Sequence, residues 1–325
     1  MENNAIFDIR TERDFLTQAL RIFKFQYTNN SVYQAFCKLL NVDPDAVLTL
    51  EQIPFLPIEF FKSKEVLSTT TLPEITFTSS GTTGSETSKH YVTDLSIYEQ
   101  SYLKAFNHFY GDISDYCVLA LLPSYLERTG SSLIYMVEDL IKKSNHPKSG
   151  FFLNEYEQLQ ELILELQETN TKILIIGVSF ALLEFTEQYQ LSLKDAVIME
   201  TGGMKGRRKE IVRQELHQLL SQGFGVQQIH SEYGMTELLS QAYSKGKGIF
   251  DCPNWMKILV RDTEDPLTYL NTGKSGGINV IDLANINSCS FIATQDLGKM
   301  NQDGTFEIIG RFDNSDIRGC NLMVL

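Results

Sequence analysis

Between Tyr116 and His230, short apolar runs rich in β-branched residues alternate with stretches whose apolar side chains recur at helical spacing. That alternation leaves few folds open. It predicts strands at Tyr116–Leu122, Lys172–Gly177, Ala196–Glu200 and Val226–His230. Between them Leu133, Val137, Leu140 and Ile141 share one helical face, as do Ile211, Val212, Leu216, Leu219 and Leu220. Such β-α-β units place helices on the faces of a mainly parallel sheet, so the fold class is α/β. Earlier in the chain, Phe15, Ala19, Ile22 and Phe23 fall on one helix face, and a proline-bearing segment, Pro54 to Pro57, leads through Phe60-Phe61-Lys62 into a Thr/Ser-rich stretch. After about Lys247 the helical spacing stops. Short strands are expected there at Lys257–Val260, Gly277–Leu283, Ser290–Thr294 and Thr305–Ile309, separated by Gly and Asp turns. The expected organisation is a helical region at 1–70, an α/β nucleotide-binding core at 71–246, and a β-rich subdomain with a hinge-like tail at 247–325. No repeat of solenoid period is present.

Charge narrows the function. Lys+Arg 28 against Asp+Glu 41 gives a net −13, which argues against nucleic acid and against an anionic membrane surface, both of which attract cations. The first residues show no basic-then-apolar leader pattern, and the apolar stretch Ile173 to Leu183 is too short for a bilayer span. The five cysteines (Cys37, Cys117, Cys252, Cys289, Cys320) form no CxxC pair and no Cys/His cluster, so free thiols in a reduced, cytoplasmic protein are expected. Cys117 and Cys289 lie in strand-like runs and read as core; Cys37 and Cys252 carry no functional signal.

Three polar, glycine-containing segments interrupt the scaffold. The first is Thr78-Ser79-Ser80-Gly81-Thr82-Thr83-Gly84-Ser85-Glu86-Thr87-Ser88-Lys89, following a strand-like run. Its small residues allow the backbone to wrap an anion, and its hydroxyls and amides offer donors, with Lys89 adding charge. The order is not that of a Walker A loop; read alone, the segment is equally a solvated Ser/Thr loop. The second, Thr201-Gly202-Gly203, and the third, Ser231-Glu232-Tyr233-Gly234-Met235-Thr236-Glu237, each follow a predicted strand. Carboxyl ends of strands are where open α/β sheets bind ligands. Downstream come Thr294-Gln295-Asp296 and Gly310-Arg311-Phe312-Asp313, then Ile317-Arg318-Gly319-Cys320. Each of these alone reads as a charged turn.

Taken in order, the set resembles the adenylate-forming superfamily of acyl-CoA ligases, adenylation domains and luciferase-like enzymes. Ser79–Lys89 is similar to its phosphate loop, Thr201-Gly202-Gly203 to its adenine-flanking loop, and Tyr233–Glu237 to its Tyr-Gly-x-Thr-Glu motif. Thr294-Gln295-Asp296 resembles the ribose-binding Thr-Gly-Asp motif, with Gln295 in place of glycine, and Gly310–Asp313 resembles the hinge motif. The matches span Ser79 to Asp313, about three-quarters of the chain. Pro54–Lys62, Leu122–Leu133 and the ending Ser315–Cys320 further resemble the acyl-protein synthetases of bacterial luminescence, the LuxE-like branch. The fold implied is a large domain of mainly parallel sheets flanked by helices plus a β-rich subdomain. Superfamily ligases continue past the hinge into a mobile domain with a catalytic lysine; the sequence ends at Leu325, so that domain is expected to be absent.

The resemblance implies ATP and Mg²⁺ as cofactors, and activation of a carboxylic acid, a fatty acid by preference, with acyl transfer to a thiol. Ser79, Ser80, Gly81, Thr82, Thr83 and Gly84 with Lys89 would hold the β- and γ-phosphates. Thr236 would contact the α-phosphate and Glu237 the Mg²⁺. Gly202, Gly203, Tyr233 and Gly234 would frame adenine, Asp296 the ribose, and Arg311 would sit at the hinge. Cys320, with Arg318 nearby, is the candidate acyl acceptor; a partner would be an acyl reductase or acyl carrier. Two rivals stand beside this: an acyl- or aryl-CoA ligase using a free thiol, and a silent subunit supporting a reductase or transferase. His230 is either an acyl-pocket residue or the polar end of a strand. Arg207-Arg208-Lys209 reads as a solvated helix start or a phosphate contact, and Tyr102, Phe106 and Phe109 as core or acyl-pocket wall.

Overall fold

A computed structural model describes residues 3–79, 87–122, 130–202 and 211–312 of the chain. Its first long helix, α1 (Glu12–Asn29), opens on a reciprocal cap: Thr11 Oγ1 accepts from Asp14 N at 3.1 Å and Asp14 Oδ2 accepts from Thr11 N at 3.0 Å. The predicted face of Phe15, Ala19, Ile22 and Phe23 is buried. Gln26, on the same helix and fully buried, donates to the Asn285 and Ile286 carbonyls and so ties α1 to the far end of the chain. After α2 (Ser31–Leu39) the proline-bearing segment forms a short strand, β1 (Leu56–Pro57), then α3 (Phe60–Ser63). Next come β2 (Ile75–Thr78) and β3 (Lys89–Val92), which pair antiparallel as a separate two-stranded sheet.

The alternating region follows as α4 (Leu95–Tyr110), β4 (Tyr116–Leu121), α5 (Ser132–Ser144), β5 (Gly150–Phe151), α6 (Tyr156–Glu168), β6 (Lys172–Gly177), α7 (Ser179–Gln188), β7 (Ala196–Thr201), α8 (Arg213–Phe224) and β8 (His230–Tyr233). Strands β5, β4, β6, β7 and β8 lie side by side in that order, all parallel. Every residue of β4 is buried, as are the last five of β6. Continuous apolar runs of this kind suit strands covered on both faces, and α5 packs on β4 while α6 packs on β6. Tyr102, Phe106 and Phe109 of α4 are core residues, as are Cys37, Cys117 and Cys289.

From β8 the same sheet continues in antiparallel strands: β9 (Ala242–Ser244), β10 (Ile249–Asp251), β11 (Met256–Arg261), β12 (Ser275–Asp282), β13 (Phe291–Met300) and β14 (Phe306–Arg311). Their order after β8 is β9, β10, β14, β13, β12, β11. The four strands expected after Lys247 correspond to β11 to β14, and the apolar core runs without a break from the parallel strands into them. β1 adds in parallel to β13, pairing Leu56 with Ile292 and Pro57 with Ala293, which brings the N-terminal segment beside Thr294-Gln295-Asp296.

Two expectations shift. The last parallel strand begins, rather than ends, at His230. Gly225 ends α8 in the left-handed conformation (φ 67°), and the next amide, Val226 N, donates back to Ser221 O at 3.1 Å. Val226 is therefore part of the helix stop and cannot start a strand. His230 sits at the amino end of β8, with Nδ1 3.3 Å from Tyr110 Oη, away from the loops at the carboxyl ends. Likewise α8 starts only at Arg213: Val212 is its extended N-cap residue and is exposed, as is Leu219, while Leu216, Leu220 and Phe224 form the buried stripe. Among the described residues no helix is long and apolar enough to cross a membrane.

Candidate nucleotide and acyl-activation site

The β2–β3 hairpin carries the first polar segment. Its register pairs Thr78 with Lys89. Beyond that pair Ser79 N donates to Ser88 O at 3.1 Å and Ser88 N to Ser79 Oγ at 2.9 Å, closing the neck of the loop. Ser80, Gly81, Thr82, Thr83 and Gly84 lie outside the described residues, as do Gly203, Arg207, Arg208, Lys209 and Cys320. At the other edge of the neck Thr78 N donates to Gly130 O at 2.8 Å. Gly130 has φ 88°, and a Cβ there would press on Thr78 Oγ1 at 3.1 Å, so glycine is required for both reasons. The pleat then sorts the residues after the loop. Ser88, His90 and Val92 point inward and are buried, whereas Lys89 is exposed on the opposite face.

The inward residues meet the third polar segment, which leaves the carboxyl end of β8. The His90 Nδ1 to Thr236 O distance is 2.8 Å. Since a carbonyl only accepts, Nδ1 carries the proton. Burial lowers the pKa of this imidazole to about 4, so it is neutral at physiological pH. One residue on, the Glu237 carboxylate is buried; burial raises its pKa, and the Ser88 side chain opposes that rise. The backbone of the segment is fixed from a third direction. Asn285 Nδ2 donates to Glu237 O at 2.7 Å, and the Leu239 and Ser240 amides donate to buried Asp282 at 2.8 and 3.0 Å. Gly234 leaves room for the Glu232 carboxylate, since a Cβ at that position would lie 2.4 Å from Glu232 Oε1.

On the other face of β8, Tyr233 Oη donates to Asp296 Oδ2 at 2.8 Å. Asp296 stands opposite Arg311 in the β13–β14 ladder, and Arg311 Nε lies 3.2 Å from Asp296 Oδ1. Because the Arg311 side chain is 65% exposed, this pair contributes little to stability, and the guanidinium is open to a ligand. Both Arg311 and Asp296 act electrostatically on Glu237. Gln295, the residue that departs from the Thr-Gly-Asp pattern, uses its length: Nε2 donates to Glu59 Oε1 at 2.5 Å, in the segment that β1 lays beside β13. At the neighbouring strand end Gly202 has φ 71°, and its carbonyl accepts from Ser179 Oγ at 2.7 Å. Thr201 Oγ1 donates to Glu232 Oε2 at 2.6 Å and locks the ends of β7 and β8 together; burial raises the Glu232 pKa to about 7.

The structure thus brings Ser79, Thr236, Glu237, Tyr233, Gly234, Asp296 and Arg311 together, with Gly202 following Thr201, whose hydroxyl bonds Glu232. Lys89 adjoins the loop neck from the outer face. The residues that join the two polar segments, Ser88 and His90, are ones that motif reading passed over. Their signal was present as period-two alternation in Ser88-Lys89-His90-Tyr91-Val92, which buries the polar residues at 88 and 90.

Solved structures share this fold at low identity. The ATP-bound MatB of Rhodopseudomonas palustris aligns over 73% of this chain and 47% of its own, at 17% identity and TM-score 0.55. A 2-hydroxyisobutyryl-CoA ligase in its postadenylation state aligns over 93% of this chain and 68% of its own, at 9% identity and TM-score 0.67. The same ligase in an open conformation gives TM-score 0.66 over 93% of this chain. The chain therefore spans about half the length of the MatB structure. No curated protein matches the sequence. The sequence model of the family described as "Acyl-protein synthetase, LuxE" matches residues 143–325, more than half of the chain and the part that holds β5 to β14. That match, on a fold shared with these ligase structures, makes this chain a member of the LuxE acyl-protein synthetase family.

Proposed function

We propose that the chain uses ATP to convert a carboxylic acid to an acyl-adenylate and passes the acyl group to a cysteine thiol, its own Cys320 being the acceptor. The observation that carries this reading is the junction of the two polar segments, Ser88 with Glu237 and His90 with Thr236, beside the Tyr233–Asp296–Arg311 cluster. Family membership supports the reaction class. A carboxylate is a poor electrophile because its leaving group would be oxide. In the proposed reaction a carboxylate oxygen attacks the α-phosphorus, the bond to the β-phosphate bridge breaks, and pyrophosphate leaves. A thiolate then attacks the acyl carbon and AMP departs, leaving a thioester; the thiol proton goes to solvent.

The residues suit the groups assigned to them. Glu237 is a buried carboxylate whose ionisation burial disfavours, which is the environment a divalent cation would relieve, so Glu237 would hold Mg²⁺. Bound there, Mg²⁺ supplies neutralisation of phosphate oxygens. Thr236, its backbone pinned by His90, would offer its hydroxyl to the α-phosphate. Asp296, already accepting from Tyr233, would receive the ribose hydroxyls, and Gly202, Gly203, Tyr233 and Gly234 would border adenine. Arg311 offers an exposed guanidinium to phosphate. Ser79 to Gly84 would cradle the β- and γ-phosphates, with Lys89 adding long-range charge from the outer face. Catalysis of this kind is positioning and electrostatics rather than acid–base chemistry. A fatty acid as substrate, an acyl reductase or acyl-carrier protein as partner, and a cytoplasmic setting belong to the same proposal.

The test is intact-mass analysis after incubation with ATP, Mg²⁺ and a series of fatty and aryl acids. An acyl adduct in the wild-type chain, lost in Cys320→Ser, is the expected result. An adduct that survives Cys320→Ser removes that acceptor assignment. Acyl-CoA formed with no protein adduct makes the chain a free-thiol ligase instead.

A further inference from the structure

His90 is hard to account for as a core residue. Its ring is buried, edge-on to Phe61 with centroids 5.8 Å apart. Nδ1 reaches Thr236 O, while Nε2 is buried with no hydrogen-bond partner among the described residues. A phenyl ring would fill the same volume without burying an unpaired Nε2, but it would remove the donor to Thr236 O, so that bond rather than packing accounts for the histidine. Locally unfavourable choices of this sort are expected where function requires them. The ring's one polar contact is with the carbonyl of a site residue. Ser88, two residues earlier and immediately before β3, is equally buried, and its side chain acts on the Glu237 carboxylate, opposing the rise that burial gives its pKa. Two consecutive inward residues of the hairpin therefore hold two consecutive residues of the acid-bearing segment, across almost 150 residues of sequence; Thr236 lies 146 positions from His90.

We propose that Ser88 and His90 are positioning residues for adenylation, forming a two-point clamp that sets Thr236 and Glu237 against the β2–β3 hairpin. The inference rests on the adenylation reading above. The clamp acts through the acid segment rather than on substrate. Ser88 orients the carboxylate assigned to Mg²⁺, and the Nδ1–H of His90 fixes the carbonyl of the residue assigned to the α-phosphate. Lys89, on the opposite face, takes no part in it.

The experiment uses the full chain and its Ser88→Ala, His90→Phe and His90→Asn variants, in ATP–pyrophosphate exchange with the acid that serves the wild type best. An asparagine amide nitrogen occupies roughly the place of Nδ1 and restores a donor to Thr236 O. His90→Phe should lower kcat by roughly 10- to 100-fold with little change in KM for ATP, and His90→Asn should recover most of that loss. Ser88→Ala should raise the Mg²⁺ concentration giving half-maximal rate about tenfold. A second readout does not use activity: ¹⁵N-histidine NMR of the wild type at neutral pH should show His90, assigned by its loss in the variants, protonated on Nδ1 and bare on Nε2. An Nε2–H tautomer overturns the clamp. So does an active wild type whose His90→Phe and Ser88→Ala variants keep its kcat and Mg²⁺ dependence. Should His90→Phe not fold, Ser88→Ala and the NMR tautomer decide. A wild type with no exchange for any acid overturns the adenylation reading itself, and with it the catalytic role given to the clamp, a result distinct from an active enzyme with indifferent variants.

Discussion

Glu237 is held in a way that separates its charge from its shape. The carboxyl group is buried, and the Ser88 side chain favours its ionised form while burial works against ionisation. Glu237→Gln keeps the shape and removes the charge, so the fold should tolerate it and the melting temperature should not fall. ATP–pyrophosphate exchange should drop by about 100-fold or more. Thermal unfolding and exchange rates, measured on the same sample, check both halves. His90 gives a pH signature of the opposite kind. Its folded pKa of about 4 lies below the ordinary 6.5, so between these values the unfolded chain binds more protons than the folded one. Stability therefore falls as pH drops from about 6.5 toward 4, by on the order of 3 kcal/mol for this group. Urea unfolding across that window should show the loss, and His90→Asn should flatten it.

The elements that sequence pattern recovered are those whose environment is uniform along their length. β4 and β6 are apolar and buried throughout, so their apolar runs mark them with an end error of at most one residue. β8 was misplaced because Val226 looks like a strand residue but serves a helix stop, a role visible only once Gly225 is seen in the left-handed conformation. That stop is sharply constrained. A Cβ on Gly225 would fall 2.5 Å from Leu191 O and 2.6 Å from Ser192 Cα, in addition to the strain of φ 67°. Gly225→Ala should thus destabilise the chain by roughly 2 kcal/mol or more, read as a lower urea midpoint with unchanged slope. An unshifted midpoint would mean that the α8–β8 connection is laid out differently. The hairpin shows the complementary limit: its strands follow from the residues, but its docking on Thr236 and Glu237 is a contact between distant segments that no local pattern encodes.

At the scale of the whole molecule, the large sheet carries most of the site and the separate β2–β3 hairpin closes on it. Parallel strands present Gly202 and the Tyr233–Glu237 segment at their carboxyl ends, and the antiparallel continuation returns Asp296 and Arg311 to the same place. The order of the motifs was legible in the sequence because chemistry confines each to a few residue types. Their convergence was not, since it depends on the position of β14 between β10 and β13 and on the brace that Gln295 makes to Glu59. The Gln295 side chain shows how such a departure from a motif becomes intelligible: it reaches Glu59, in the turn between β1 and α3, which related patterns have no reason to anticipate. The central claim, that this convergence activates a carboxylic acid on ATP, is tested most directly by acid-dependent ATP–pyrophosphate exchange. The account predicts exchange that requires both Mg²⁺ and a carboxylic acid and that collapses in Glu237→Gln. Exchange with no acid in a series spanning short, long and aryl chains, or a rate indifferent to Glu237→Gln, would contradict it.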